Sequence, residues 1–425
     1  MGQVLVNNKP INGKDCLKQF NLKKDTIEKL GITNYKTGKF DKIDEILKKD
    51  TGMVVGKCVK TVNLNINGME VPQLKDHSYV MTLDHFTKCF KSKKQESIYK
   101  PGNKSFKELF NRYMGQNLDN KKLLISRTGG LGDILISQSV VQYIKEKFPT
   151  CEITYATTAA FVNLFQSYPD GLIDRAAPIP YNVNVLRDTH YHLFFIHGIE
   201  NCIESQDYNY YDIFQKITGL DYDAKQYLPK LIPNEKLVEN ILIPKKTICI
   251  HMNASTKLRR YPTEFWTQII NMLTSKGYFV GIIDSKNNAT EIDNMIKALN
   301  FNTDKVFNFA KISKTVSHSI SIANKCLGTI TVDSFFAHVS GALQKPSVCL
   351  CGPFPQQNVV GYYKNTVGLN ASEEWVNSVN HCGKYPCFLT GQEGQCPYVM
   401  ANLHPGCMSS ISPELIVKSL EEKIN

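Results

Sequence analysis

Three short stretches carry residue types at spacings that could do chemistry. The first is ISRTGGLGDILIS, residues 125–137. A strand-like run meets Gly129, Gly130 and Gly132, and Asp133 follows where a helix should open. Glycines there allow a sharp turn and let another molecule come close to the backbone. The spacing is not that of a dinucleotide fingerprint, because Leu135 stands where G-x-G-x-x-G needs its last glycine. Asp133 has two readings. It caps the helix by accepting backbone N–H groups, or it is a general base facing an acceptor hydroxyl.

The second stretch is HMNASTKLRRYPTEFW, residues 251–266. Lys257, Arg259 and Arg260 crowd a polar loop between a strand end and a helix begun by Pro262. Cations beside a helix N-terminus suit a diphosphate. An ordinary exposed basic loop is the plainer reading. The third is ITVDSFFAHVSGALQKPSVCLCGP, residues 330–353. Asp333 and Ser334 end a strand and open a helix, and His338 lies one turn on, on the face of Ser334. A hydroxyl and helix-start amides can hold a phosphate. The alternative is that Ser334 caps and His338 packs.

Alternating elements must position these residues. KLLISR, CEITYATT and THYHLFFIHG read as strands. ILISQSVVQYIKEKFP, AAFVNLFQSYP and NYYDIFQKITGL read as helices, the last capped by Gly219. A second set begins near residue 246, with strands KTICIHMN, YFVGIID, CLGTITVD and PSVCLCGP. Its helices are PTEFWTQIINMLTSKG, ATEIDNMIKALN, SHSISIANK, SFFAHVSGALQKP and ELIVKSLEEKI. This alternation implies βαβ units and parallel sheets, with ligands gathered at the strands' carboxyl ends. The expected class is α/β: two doubly wound domains, 123–240 and 241–425, with a hinge around KLIPNEKLVENILIPKK and a cleft between them.

Residues 1–122 differ in texture. They hold 24 of the 50 Lys+Arg and 13 of the 39 Asp+Glu, a surplus of 24 − 13 = +11. The remaining 26 basic and 26 acidic residues cancel, so the whole formal charge of +11 lies in this segment. Such a field suits an anionic partner, nucleic acid or lipid head group, or is simply a solvated lysine-rich surface. Amphipathic pieces DTIEKLGI, FDKIDEILKK, LDHFTKCF and SFKELFNRYMG, with strand-like VKTVNLNINGMEV between them, read as a small basic α+β module. KSKKQESIYKPGNKS reads as a linker or exposed loop.

No apolar run is long enough to cross a bilayer, and the N-terminus lacks a signal-peptide stretch, so cytoplasmic residence is expected. Thirteen cysteines, an odd number, fit a reducing compartment. Four of them, Cys382, Cys387, Cys396 and Cys407, cluster near the end. Their spacing is not a standard zinc pattern, and a structural zinc, disulfides or four buried thiols are the alternatives.

Together the three stretches resemble the ADP-heptose:lipopolysaccharide heptosyltransferases, glycosyltransferase family 9, over residues 123–425. GGLGD matches the family's glycine turn and Asp. Arg259-Arg260-Tyr261-Pro262 matches its Lys-x-Trp-Pro-like motif, with Arg259 in the lysine's place. Asp333-Ser334-Phe335-Phe336-Ala337-His338 matches Asp-Ser/Thr-Gly-x-x-His, with Phe335 in the glycine's place.

The resemblance implies the GT-B architecture, two Rossmann-like domains, and an inverting transfer that needs no metal or other cofactor. It implies a nucleotide diphospho-sugar donor held by Lys257, Arg259, Asp333, Ser334 and His338, with Glu291 on the ribose. Asp133 would then be the base, with Gly129, Gly130 and Gly132 forming the acceptor-side loop. The implied acceptor is a glycan such as a lipopolysaccharide core, reached from the cytoplasm or the inner membrane face. Two other functions fit the residues. One is a viral enzyme glycosylating hydroxymethylated DNA bases in a host cytoplasm, with residues 1–122 holding DNA. The other is a non-catalytic sugar-nucleotide-binding protein, which would have little need of Asp133.

Overall fold

The computed structural model describes residues 4–6, 9–11, 53–59, 61–66, 69–82, 85, 99–101, 106–194, 206–298, 303–388 and 393–425. The amphipathic pieces DTIEKLGI and FDKIDEILKK, nearly all of LDHFTKCF and most of KSKKQESIYKPGNKS lie outside them. The chain forms two compact units. The first comprises Met1–Phe165, Asp170–Ser205 and Asp212–Tyr227, and the second Gln166–Pro169, Gln206–Tyr211 and Leu228–Asn425.

Strands β1 (Val4–Val6) and β2 (Lys9–Ile11) pair antiparallel. The next strands are β3 (Met53–Cys58), β4 (Val62–Ile66), β5 (Met69–Gln73), β6 (Ser78–Thr82) and β7 (Tyr99–Pro101). The segment read as one alternating strand is a hairpin, β4 against β5. Then come β8 (Lys122–Arg127), β9 (Glu152–Thr158), β10 (Arg175–Ile179), β11 (Tyr181–Asn182) and β12 (Tyr191–Phe194). A parallel sheet runs β10-β9-β8-β12.

An antiparallel sheet runs β11-β6-β3-β7, so β11 from beyond residue 122 completes the sheet of the basic segment. One core follows from this. Met53, Val55, Val80 and Phe106 pack with Leu124, Ala156, Ile179, Tyr181 and Phe194. Within the described residues there is no packing break at residue 122.

Two helices of the first unit differ from expectation. The run after the glycine turn is two helices, Leu131–Ile136 and Gln138–Lys147. Ser137 separates them, its hydroxyl donating to the Ile134 carbonyl at 2.7 Å. AAFVNLFQSYP winds as a 3-10 helix over Ala159–Ser167. The helix Tyr210–Thr218 ends at Gly219 with φ of +68°, as its sequence implied.

The second unit holds β13 (Thr247–His251), β14 (Phe279–Ile282), β15 (Val306–Asn308), β16 (Gly328–Val332), β17 (Ser347–Leu350) and β18 (Thr366–Leu369). All pair parallel in the order β15-β14-β13-β16-β17-β18, the 3-2-1-4-5-6 order of a nucleotide-binding sheet. Ile248, Ile250, Ile330, Val332 and Val348 are wholly buried, as strands covered on both faces must be. The helices Thr263–Ser275 and Pro413–Ile424 supply Trp266, Ile270, Ile416 and Leu420 to that core. Among the described residues, no helix is long and apolar enough to cross a membrane.

His192 of β12 reports on the first unit's packing. Its Nδ1 accepts the Asn111 N–H at 2.7 Å, and Nε2 donates to the Leu186 carbonyl at 3.0 Å. Burial pushes its pKa down to about 4, the Leu186 bond opposing in part. An unfolded chain therefore binds this proton first as pH falls. Stability present above the ordinary value of 6.5 is lost as pH drops toward 4. Denaturant melts across that window should show a decline of roughly 3 kcal/mol attributable to this group, much reduced in His192→Gln. An unchanged pH dependence in the variant contradicts the assignment.

Candidate active site

In the first unit the chemistry gathers at the carboxyl end of β8. The strand ends on Arg127, whose side chain is 2% exposed, an unusual place for a guanidinium. Its Nη2 donates to Asp133 Oδ2 at 2.7 Å. The same oxygen accepts the Gly130 N–H at 3.2 Å, so Asp133 reaches back over the helix start as a capping acid does. Thr157 holds the Arg127 carbonyl at 2.9 Å, and Phe214 lies 5.9 Å from the guanidinium carbon.

Gly129 is explained by contact. A Cβ there would sit 2.9 Å from Asp133 Oδ2 and 3.0 Å from Arg127 Nη2. Any side chain would push the ion pair apart. Capping, read from sequence as the alternative to a chemical role, is performed by Oδ2.

In the second unit the motifs from β13 and β16 meet. Asp333, after β16, is almost wholly buried, and its Oδ1 lies 3.4 Å from Arg259 Nη1. Arg259 Nη2 donates to Ser255 Oγ at 2.7 Å. Asp333 Oδ2 is buried without a hydrogen-bond partner among the described residues. Ser334 precedes the helix Phe335–Ala342 but its side chain does not cap it. Its hydroxyl instead meets His251 Nδ1, 3.1 Å away at the end of β13. Phe336 stacks on the His251 ring at 4.7 Å and 19°. Burial holds His251 below its ordinary pKa, and the Asp284 carboxylate offsets this in part. Phe335, in the expected glycine position, packs edge-on against Phe336 at 5.6 Å.

Asp284 was not singled out in the sequence, although it ends the apolar run YFVGIID. It accepts from Asn253 Nδ2 at 2.6 Å, the Ser285 N–H at 2.6 Å and Asn288 Nδ2 at 2.9 Å. It thereby ties the loop after β13 to the turn after β14. His251 was also missed, being one of 10 histidines with no sequence mark beyond its place at a strand end.

The other expected donor residues are placed differently. Glu291 lies exposed in the first turn of the helix Ala289–Ala298, and Lys257 is exposed in a 3-10 turn. The Lys257 backbone N–H donates to Glu393 Oε1 at 2.6 Å. Neither side chain makes a hydrogen bond or ion pair among the described residues. His338 is 3% exposed and packs among Tyr210, Tyr211 and Tyr363. Its Nδ1 is 3.5 Å from the Tyr363 hydroxyl, which is itself hydrogen-bonded to Tyr211.

Residues 203–387 match the sequence model of glycosyltransferase family 9 (heptosyltransferase). The chain carries a family 9 glycosyltransferase domain. That domain contains every expected donor residue, while the Arg127–Asp133 pair precedes it. Among solved structures, ADP-heptose LPS heptosyltransferase II of E. coli is similar at 15% identity and a TM-score of 0.55, over 71% of this chain and 98% of that one. A glycosyl transferase family 9 structure from Veillonella parvula is similar at 14% identity and a TM-score of 0.54, over 73% of this chain and 98% of that one. At such identities the likeness is one of fold, and it places this heptosyltransferase-like glycosyltransferase in the GT-B class. No curated protein matches the chain.

The C-terminal tail is organised by aromatic packing. Trp375 meets His381 at 5.0 Å and Tyr385 at 5.8 Å, and its Nε1 donates to the Tyr398 hydroxyl at 3.3 Å. The described cysteines form no disulfide, and no group of three or more His, Cys, Asp or Glu among the described residues is placed to hold a metal. Burial pushes the Cys407 thiol's pKa up, with smaller contributions from Cys387, Cys396 and Cys382.

Exposure separates the two loop cations. Arg259→Ala strips a buried carboxylate of its cation and should cost about 1–3 kcal/mol in thermal melts. Lys257→Ala should stay within about 0.5 kcal/mol of the parent. Equal losses in the two variants would contradict the Arg259–Asp333 geometry.

Proposed function

We propose that the chain transfers a sugar, with inversion and without a metal, from a nucleotide diphospho-sugar of the ADP-heptose type to a hydroxyl of a glycan such as a lipopolysaccharide core. The observation that carries this reading is the fixed carboxylate at the glycine turn. Arg127 and the Gly130 N–H hold Asp133 Oδ2 and so orient the group; in this reading Oδ1 would meet the acceptor.

In the proposed step the acceptor hydroxyl loses its proton to Asp133. Its oxygen bonds to the anomeric carbon as that carbon's bond to the diphosphate breaks on the opposite face. Arg259 and Lys257 take up the charge of the departing diphosphate. Ser334 and the amides that follow it contact the donor's phosphates, and Glu291 contacts the ribose. Asp284 and His251 are positioning residues for the loop and for Ser334. The reaction would occur in the cytoplasm. The basic charge of residues 1–122 would attract the anionic acceptor.

Asp133→Asn keeps the shape and a hydrogen-bond acceptor for Arg127 but removes the base. Release of ADP from ADP-heptose in the presence of a lipopolysaccharide-core acceptor should fall about 10²–10⁴-fold, with the donor Kd within a factor of two of the parent. Turnover at the parent's rate would refute the base. The acceptor's KM should also rise with added salt while the donor's does so less. A salt-independent acceptor KM would remove the electrostatic role of the basic segment. Deleting residues 1–122 is not a clean version of that test, because Met53, Val55, Val80 and Phe106 belong to the first unit's core.

A further inference from the structure

A recess of about 290 Å³ lies in the first unit, outside the family 9 match. It opens along the seam where the sheet of the basic segment joins the α/β part. Buried Val55 and Val183, with Leu109, give it an aliphatic base. Polar groups rim it from both sides of the seam. On one side is the turn before β6, where Asp76 holds a φ of +65°. On the other is the short helix Val183–Arg187 with its cap Asn182.

The rim is cross-linked and asymmetric in charge. Asn182 Nδ2 and His77 Nδ1 are 3.2 Å apart, and since the amide is the donor, His77 Nε2 carries the remaining N–H. Asp76 is balanced by Lys57, with Nζ 3.2 Å away. Arg187 is not balanced. Its hydrogen bond is a long one to Asn184 Oδ1 at 3.5 Å, and it has no carboxylate partner among the described residues. The recess thus offers one uncompensated guanidinium, an imidazole N–H, amide groups and a carboxylate over an aliphatic base. Its volume is near the lower end for small-ligand pockets, ~300–1,000 Å³, which suits one or two sugar rings.

We propose that this seam is a binding site for an acidic saccharide. A carboxylate or phosphate of the sugar pairs with Arg187. Ring hydroxyls bond to Asp76, His77 and Asn184, and the C–H face of the ring lies on half-buried Leu109. Each polar group then meets a partner of its own kind: the guanidinium an anion, the carboxylate and amides hydroxyls. The site goes beyond the transfer reaction and does not depend on it, because no residue of the recess belongs to the proposed chemistry.

Calorimetric titration of the full chain with glucuronate, glucose 6-phosphate and glucose tests it. At least one of the two anionic sugars should bind, with glucose at least tenfold weaker, and the better anion tells carboxylate from phosphate. Arg187→Gln, an exposed change with no core contact, should melt like the parent and lose at least tenfold in affinity for that sugar. Binding of neither anionic sugar would overturn the proposal, as would glucose binding as tightly as they do or unchanged affinity in Arg187→Gln. The transfer assay with Asp133→Asn reads a separate quantity, so failure of one claim is distinguishable from failure of the other.

Discussion

Parallel strand pairing is the constraint from which the rest follows. When Thr247–His251, Gly328–Val332 and their neighbours run the same way, every carboxyl end falls on one edge of the sheet. Loops separated by some eighty residues of chain are then gathered without further design. His251 meets Ser334 and Arg259 meets Asp333 for this reason. The first unit repeats the device on a smaller scale, with β8 delivering Arg127 to the turn that holds Asp133.

Each gathering point is stabilised by a buried polar pairing that costs solvation and repays it only when complete. Arg127 with Asp133, and Asp333 with Arg259, are ion pairs in which one partner is almost wholly inside. Such pairs contribute little net stability against an apolar alternative but are expensive to break. Their use is geometric. They fix the carboxylates and guanidinium that the proposed chemistry needs, and glycine at 129 is what lets the first pair form.

Much of this was legible because α/β sequences announce themselves. The buried strands KLLISR, KTICIH and CLGTITV are continuous apolar runs, and helices between them carry clear punctuation at Gly219, Pro262 and Pro149. Short edge strands were not legible. VFN of β15 and TVGL of β18 are too brief to show a period, and RAAPI of β10 carries a proline and a charge. At the site, types and order pointed to Asp133, Arg259, Asp333 and Ser334. Partnership did not show: that Asp133 answers to Arg127, or that Ser334 bonds across to His251, depends on contacts made in three dimensions. Asp284 and His251 were hidden for the same reason. A lone acid or imidazole at a strand end looks like any other until the neighbouring strand is in place.

The path of the chain between its two units has a consequence for where it can be divided. Gln166–Pro169 and Gln206–Tyr211 belong to the second unit although the sequence on both sides of each belongs to the first. Asn358 fastens the latter segment through the Gln206 and Tyr208 carbonyls at 2.9 and 2.8 Å, and Asn209 returns a bond to the Gln357 carbonyl. Neither unit is therefore a contiguous stretch of gene. A cut at any one point of the chain would therefore leave one unit lacking a segment that packs with it.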